Sequence, residues 1–108
     1  MSSPSKSFHL RLRWDNPQTG ENHECINQLP ITIGRAASLN EIVLNSKHVS
    51  RQHAKLEDRD DSIVIVDQDS TNGTFVDGQR VERATLNEGD SFKIGPFTFM
   101  SSSCCKPV

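Results

Sequence analysis

Short segments in which apolar and polar residues alternate run along most of this chain. Residues 8–14 alternate with a period of two, which predicts a half-buried strand. Turn formers fill residues 15–20, so we expect residues 22–29 to return as a hairpin partner. No segment of about eleven residues keeps the period of a helix. About ten strands are predicted, over residues 8–14, 22–29, 31–33, 42–44, 53–56, 63–66, 74–76, 79–81, 92–94 and 97–99.

Three local features refine this pattern. The charged residues 57–61 predict a turn, and the run 63–66, apolar on both faces, predicts a central strand that is covered from both sides. Asp77 and Gly78 predict a type I′ hairpin turn, because that turn needs positive φ angles at both positions. Short strands with turns every 8–12 residues are typical of a two-sheet β-sandwich, so we expect an all-β fold.

The length of 108 residues allows one domain. We expect a flexible tail at residues 1–6, the sandwich over residues 7–101 and a second flexible tail at residues 102–108, as in a domain taken from a larger multidomain protein. No run approaches the roughly 18 apolar residues of a membrane span, and residues 1–7 lack the apolar stretch of a signal peptide. We therefore expect no membrane insertion and a cytoplasmic location. The cysteines 25, 104 and 105 are expected to be free thiols.

The distribution of charge points to a compact anion as the ligand. The chain carries a net charge of −2, which argues against nucleic acid, because binding of a nucleic-acid backbone needs a basic surface. Residues 35–55 hold Arg35, Lys47, Arg51 and Lys55 against one carboxylate, a local balance of +3, so the remainder carries −5. A cationic stretch on an acidic domain indicates an anion site.

Three predicted loops contain the residues with the most suggestive chemistry. The first loop begins at Gly34-Arg35, the second spans residues 49–53 and the third spans residues 67–74. Because alternate loops of a sandwich gather at one end, these three can form a single surface. Arginine offers a phosphate a planar fork of charge-assisted donors, which Arg35 and Arg51 can supply. The Ser50 hydroxyl can add a donor, and the Asn72 amide suits a peptide backbone.

These motifs, in this order, resemble the forkhead-associated (FHA) domain. The matching residues are Gly34-Arg35, Ser50-Arg51-x-His53, Ser70-Thr71-Asn72-Gly73-Thr74, Val76-Asp77-Gly78, Leu86-x-x-Gly89-Asp90 and Ile94-Gly95. The specific part of the resemblance covers residues 31–99. It implies a sandwich of about eleven short, mainly antiparallel strands in two sheets, whose loops at one end bind phosphothreonine peptides.

The resemblance also implies roles for individual residues. Arg35 would contact the phosphate or the adjacent peptide chain, Ser50 would bond a phosphate oxygen and Arg51 would add a second cation. Thr71 and Asn72 would line the site, with the Asn72 amide on the main chain of the ligand. Structural support would come from three residues, Gly34, His53 and Gly73. Preference for phosphothreonine over phosphoserine would arise from a small pocket for the threonine methyl group, which the sequence does not locate.

The predicted function is therefore a phosphopeptide-binding module. It would recognise phosphothreonine in partner proteins and mediate phosphorylation-dependent protein interactions in signalling or assembly. The alternative is a scaffold of the same fold that binds partners without phosphate. An enzyme is not expected, because alternation along a strand would send Ser50 and His53 to opposite faces and no G-x-S-x-G motif is present. No cofactor or metal is expected, since no C-x-x-C pair occurs.

Overall fold

A computed structural model describes residues 8–59, 62–87 and 89–105, and within them all regular secondary structure is β-strand. The eleven strands are β1 (Phe8–Asp15), β2 (Asn22–Gln28), β3 (Ile31–Gly34), β4 (Ile42–Val43), β5 (Ala54–Arg59), β6 (Ser62–Asp67), β7 (Thr74–Val76), β8 (Gln79–Val81), β9 (Arg83–Leu86), β10 (Ser91–Ile94) and β11 (Phe97–Cys105). The described residues contain no helix that is long and apolar enough to cross a membrane. The tail expected at residues 1–6 lies outside the described residues.

The strands form two sheets. A six-stranded sheet has the order β2-β1-β11-β10-β7-β8, and a five-stranded sheet has the order β4-β3-β5-β6-β9. Strand β4 runs parallel to β3, whereas the other described pairings are antiparallel. The predicted all-β sandwich is therefore confirmed.

The core lies between the sheets and follows from the alternation along each strand. In β1, for example, Leu10 and Leu12 are buried while Arg11 is exposed. The rings of Phe92 and Phe99, on neighbouring strands, stack with their centroids 4.9 Å apart. The core consists of Leu10, Leu12, Ile31, Ile33, Ile42, Leu44, Val49, Ala54, Leu56, Ile65, Val76, Leu86, Phe92, Ile94, Phe97 and Phe99.

Strands β5 and β6 differ from the sequence pattern. Strand β5 continues to Arg59 through part of the expected charged turn, because Asp58 and Arg59 pair through their backbones and keep exposed side chains. Strand β6 is internal to its sheet, as expected, and at its centre both faces are covered. Ile65 belongs to the core, and Val64, on the other face, is also buried but lies outside the core cluster. Val66, on the same face as Val64, is only half-buried, so the cover of this face is partial.

Two further differences concern the edge of one sheet and the end of the domain. Strand β9, at the edge of the five-stranded sheet, has no counterpart among the predicted strands. Only its Ala84 and Leu86 face the core, and two apolar positions are too few to define a strand period. Strand β11 extends beyond the expected boundary at residue 101. Residues 102–105 pair with β1 rather than forming a tail, since backbone pairing needs no apolar side chain. Residues 106–108 lie outside the described residues.

The predicted hairpin between β7 and β8 is present. Its turn residues Asp77 and Gly78 have φ angles of 53° and 78°, as a type I′ turn requires. Gln79 pairs with Val76 directly after the turn, which fixes the register of the two strands. This hairpin forms one edge of the six-stranded sheet.

Candidate functional site

Three loops of the sandwich surround one groove of about 450 Å³. They connect β3 to β4, β4 to β5 and β6 to β7. All five residues predicted to bind the phosphopeptide line this groove: Arg35, Ser50, Arg51, Thr71 and Asn72. The other lining residues are Lys47, His48, Val49, Gln52, Gln68 and Asp69. The fold therefore brings together residues that are up to 37 positions apart in the sequence.

The β3–β4 loop is held against the β4–β5 loop by backbone contacts. The Arg35 N–H donates to the Ser50 carbonyl oxygen at 3.0 Å, and the Ala36 N–H donates to the Arg51 carbonyl oxygen at 3.2 Å. Gly34 permits this approach, because a Cβ atom there would collide with the backbone oxygen of Arg51. The predicted support role of Gly34 thus has a steric basis at the point where the two loops touch.

The β4–β5 loop is joined to the β6–β7 loop by two side chains of the groove. The Ser50 Oγ accepts a hydrogen bond from the Thr71 N–H at 3.0 Å. The Asn72 Nδ2 donates to the His48 carbonyl oxygen at 2.9 Å. Ser50 and Asn72 therefore help to fix the relative positions of the loops as well as lining the groove.

His53 connects the same two loops from below. Its side chain is fully buried, its Nδ1 accepts a hydrogen bond from the Ser50 N–H at 3.1 Å, and its Nε2 lies 2.9 Å from the Gly73 carbonyl oxygen. Because a backbone N–H can only donate, Nδ1 carries no proton, and Nε2–H donates to the carbonyl. His53 contacts the backbone of Ser50 and not its hydroxyl, so these residues do not form the pair of nucleophile and base that a hydrolase needs.

The groove presents cationic side chains that form no ion pair within the described residues, although the carboxylate Asp69 also lines it. In residues 8–59, 62–87 and 89–105, no carboxylate forms an ion pair with Arg35, Lys47 or Arg51, whereas Lys55, outside the groove, pairs with Glu57. The Nε of Arg35 donates to the Val49 carbonyl oxygen at 3.0 Å. This bond anchors the guanidinium group and leaves its two terminal nitrogens available for a ligand.

Asn40 is a support residue that the sequence did not reveal. Its Nδ2 donates to the Ala36 carbonyl oxygen at 2.8 Å and to the Arg51 carbonyl oxygen at 2.7 Å. Its Oδ1 is buried and has no hydrogen-bond partner among the described residues. An asparagine in a loop is ordinarily a turn former, and nothing in the sequence distinguishes this one.

A second unpredicted group shapes the β6–β7 loop. The Asp67 carboxylate accepts hydrogen bonds from the Ser70 N–H at 3.0 Å, from the Ser70 hydroxyl and from the Thr74 hydroxyl at 2.7 Å. The Ser70 Oγ in turn accepts from the Gly73 N–H at 3.0 Å. Burial alone would raise the pKa of Asp67, but the hydrogen bonds outweigh it and lower that pKa.

Gly73 adopts a backbone conformation that suits glycine. Its φ angle is 91°, and a Cβ atom would lie 2.7 Å from the Nε of Arg80. The residue follows Thr71 and Asn72 directly and supplies the carbonyl that His53 holds. In the described part of the chain, histidine, cysteine, aspartate and glutamate form no cluster that could hold a metal ion.

Residues 31–95 match the FHA domain family. Among curated proteins, the chain is 45% identical over 74 residues to the transcriptional regulatory protein EmbR of Mycobacterium bovis, a match that covers 66% of this chain and 19% of EmbR. It is 35% identical over 68 residues to the oxoglutarate dehydrogenase inhibitor of Corynebacterium diphtheriae, covering 63% of this chain and 48% of the inhibitor. The chain therefore spans less than half the length of these two relatives.

Solved structures show the same architecture. Mycobacterium tuberculosis EmbR in complex with a low affinity phosphopeptide superposes with a TM-score of 0.72 at 30% identity, covering 91% of this chain and 26% of that chain. The FHA domain of an Arabidopsis thaliana hypothetical protein gives a TM-score of 0.77 at 27% identity, covering 100% of this chain and 98% of that domain.

Proposed function

This chain belongs to the FHA domain family, and from that premise we propose that it binds phosphothreonine in a partner protein. The family is one of peptide-binding modules that read phosphorylated motifs. A solved EmbR structure, 30% identical to this chain, contains a phosphopeptide. We infer that this chain brings a phosphorylated partner to the protein that carries it and catalyses no reaction.

One observation carries the proposal more than any other. All five residues predicted from the sequence to bind the ligand line a single groove, together with the additional cation Lys47. Arg35, Lys47 and Arg51 have no ion-pair partner among the described carboxylates. Three cations and one carboxylate, Asp69, line the groove, so its lining carries a net positive charge that favours binding of a dianion.

Ser50 and Arg35 are suited to the phosphate itself. Because the Ser50 Oγ accepts from the Thr71 N–H, its own hydroxyl hydrogen remains available to donate to a phosphate oxygen. The terminal nitrogens of Arg35 can donate to two further oxygens, as a guanidinium does in a bidentate pair. Arg51, exposed on the same loop as Ser50, would add a second cation.

Asn72 is suited to the peptide backbone next to the phosphothreonine. One hydrogen of its Nδ2 is used by the His48 carbonyl, which fixes the orientation of the amide. The second hydrogen and the Oδ1 remain for a C=O and an N–H of the ligand, which is the pairing that an extended peptide offers. Thr71, exposed at the same rim, would form the side wall of the groove.

The wider setting is part of the proposal. The curated relatives described above are longer than this chain, so we propose that the chain is a module of a larger multidomain protein. We propose a cytoplasmic location, with no cofactor, no nucleic-acid ligand and no direct insertion into a membrane. Its net charge of −2 supports the exclusion of nucleic acid.

The proposal is tested with degenerate peptide libraries of a fixed length. The central residue is phosphothreonine in one library, phosphoserine in the second and threonine in the third, and each is titrated into the chain. We expect the threonine library to bind at least about a hundredfold more weakly than the phosphothreonine library, since two charge-assisted hydrogen bonds are lost. Equal affinity for all three libraries would favour the phosphate-independent scaffold and refute the proposal.

A further inference from the structure

Asn72 is followed by glycine, and it is the one asparagine of the sequence that is. Such a pair can deamidate without an enzyme, because glycine has no side chain to hinder attack by its backbone nitrogen on the neighbouring side-chain amide. The Gly73 nitrogen loses its proton to hydroxide and forms a bond to the Asn72 Cγ. The bond from Cγ to Nδ2 breaks, and Nδ2 takes up a proton from water and leaves as ammonia. Water then opens the cyclic imide at either carbonyl, which leaves aspartate or isoaspartate.

The folded chain holds the attacking nitrogen in a hydrogen bond. The Gly73 N–H donates to the Ser70 Oγ at 3.0 Å, and both residues are buried. The Ser70 hydroxyl donates its own hydrogen to the Asp67 carboxylate, so its lone pairs are free to accept from Gly73. A buried, hydrogen-bonded amide gives up its proton only when the local structure opens. The Gly73 nitrogen is therefore withheld from the reaction in the folded chain.

The other groups of the pair are also held by hydrogen bonds. The Gly73 carbonyl oxygen lies 2.9 Å from the Nε2 of His53, so Gly73 is fixed through both its N–H and its C=O. The Asn72 Nδ2, which would leave as ammonia, donates to the His48 carbonyl oxygen at 2.9 Å. Movement of either residue during ring closure therefore breaks a hydrogen bond.

The product of the reaction does not suit the phosphate groove, as we call the groove that the five predicted binding residues line. Aspartate at position 72 has no amide hydrogens, so it cannot donate to the His48 carbonyl or to a ligand. It also adds a negative charge to the lining, which repels a phosphate dianion. Isoaspartate in addition lengthens the backbone of the β6–β7 loop by one carbon.

We propose that Asn72 is a deamidation site that the folded chain protects through the Ser70 hydroxyl, and that deamidation there ends phosphopeptide binding. The protection depends on hydrogen bonds of the free chain, whereas the loss of binding rests on the proposed function. The hydrogen bonds that link Asp67, Ser70 and Gly73 thus preserve a binding residue as well as shaping the loop.

Peptide mapping by mass spectrometry measures the conversion of Asn72 during incubation at mildly alkaline pH. We expect the folded chain to convert at least about tenfold more slowly than the same chain unfolded in guanidinium chloride, because local opening limits the reaction. Ser70→Ala should convert about fivefold faster than the unmodified chain, the factor that corresponds to one neutral hydrogen bond. Thr74→Val removes another hydroxyl from Asp67 but keeps the Ser70 acceptor, so it should convert at the rate of the unmodified chain.

Three results would overturn the protection. The first is equal conversion in the folded and unfolded chains. The second is a Ser70→Ala variant that unfolds cooperatively and converts no faster than the unmodified chain. The third is a Thr74→Val variant that converts as fast as Ser70→Ala, because the stability of the loop would then set the rate. If Ser70→Ala does not fold, hydrogen exchange of the unmodified chain decides. The Gly73 amide should exchange at least about a hundredfold more slowly than in the unfolded chain, and unprotected exchange there would overturn the protection.

Asn72→Asp tests the consequence for binding. We expect it to weaken binding of a phosphothreonine peptide by about tenfold or more, since a donor is lost and a like charge is added. Asn87→Asp adds the same charge at an exposed position that does not line the groove, and it should bind like the unmodified chain.

The outcomes separate this consequence from the proposed function. If the unmodified chain prefers phosphothreonine to threonine but Asn72→Asp binds equally well, deamidation does not end binding and the proposed function stands. If the unmodified chain shows no preference for phosphothreonine, the proposed function fails and the consequence for binding fails with it. The conversion rates at Asn72 would still decide the protection.

Discussion

Replacing Ser50 by alanine removes one hydroxyl from the centre of the phosphate groove. In the free chain that hydroxyl accepts a hydrogen bond from the Thr71 N–H at 3.0 Å. In the complex we expect it also to donate to a phosphate oxygen. Ser50→Ala therefore removes a contact with the ligand and a contact between two loops. The first loss lowers the affinity for the peptide, the second lowers the stability of the fold, and the two free energies differ in size.

The ligand contact is the larger of the two. A hydrogen bond to a charged group is worth about 1.5–3 kcal/mol, so Ser50→Ala should weaken binding of the phosphothreonine peptide by about 10- to 150-fold. The loop contact is worth less, because Thr71 is exposed and water can replace the lost acceptor. We expect about 0.5–1 kcal/mol of lost stability and a melting temperature lower by a few degrees.

Fluorescence anisotropy with the phosphorylated and unphosphorylated forms of one peptide measures the first effect, and thermal unfolding measures the second. Ser50→Thr keeps the hydroxyl and is the matched control, which should retain most of the affinity. A loss below threefold, or an equal loss for the unphosphorylated peptide, would refute the assignment of Ser50 to the phosphate. A variant that no longer unfolds cooperatively would instead make Ser50 a residue of the scaffold.

Three further predictions concern Arg35, Asn40 and Asp67. Arg35→Ala should abolish measurable phosphopeptide binding in titration calorimetry while unfolding remains cooperative, and Arg35→Lys should recover little, because lysine lacks the planar fork. Asn40→Ala should cost about 1–2 kcal/mol in chemical denaturation and weaken phosphopeptide binding several-fold, since one hydrogen bond within the β3–β4 loop and one to the β4–β5 loop are lost. Asp67→Asn should cost about 1 kcal/mol at pH 7, allowing for partial exposure. Because the folded-state pKa of Asp67 is lowered, that difference in stability should be present above about pH 4 and disappear as the pH falls through the folded pKa; a difference that does not depend on pH would contradict this.

The convergence of the binding loops could be predicted from the sequence, because turn formers and strand periodicity fix where the loops occur. Arg35, Ser50 and Asn72 stand in three different loops, and the alternation of strands in a sandwich brings such loops to one end. The groove that all three line agrees with this expectation. What the sequence could not supply is the contact each side chain makes, such as the bond from Arg35 to the Val49 carbonyl.

Asn40 and Asp67 show where sequence reasoning ends. Both are residue types that are common in loops. Asn40 binds the backbone of Arg51, which is distant in the chain, and Asp67 binds the backbone of Ser70 around a tight turn. Only the packing of one loop on another decides whether an asparagine is a loop anchor or an exposed turn former. The same holds for β9, in which only Ala84 and Leu86 face the core and which forms a strand because β6 offers an edge for pairing.

The position of the ligand is the central claim, and amide chemical shifts of the isotopically labelled chain test it most directly. Addition of a phosphothreonine peptide should shift the amide resonances of Arg35, Ser50 and Thr71, while Thr85, on the edge strand β9 and not among the residues that line the groove, should not move. The same peptide without phosphate should produce no comparable shifts at equal concentration. Shifts of equal size from both peptides, or shifts confined to residues away from the three loops, would contradict the account.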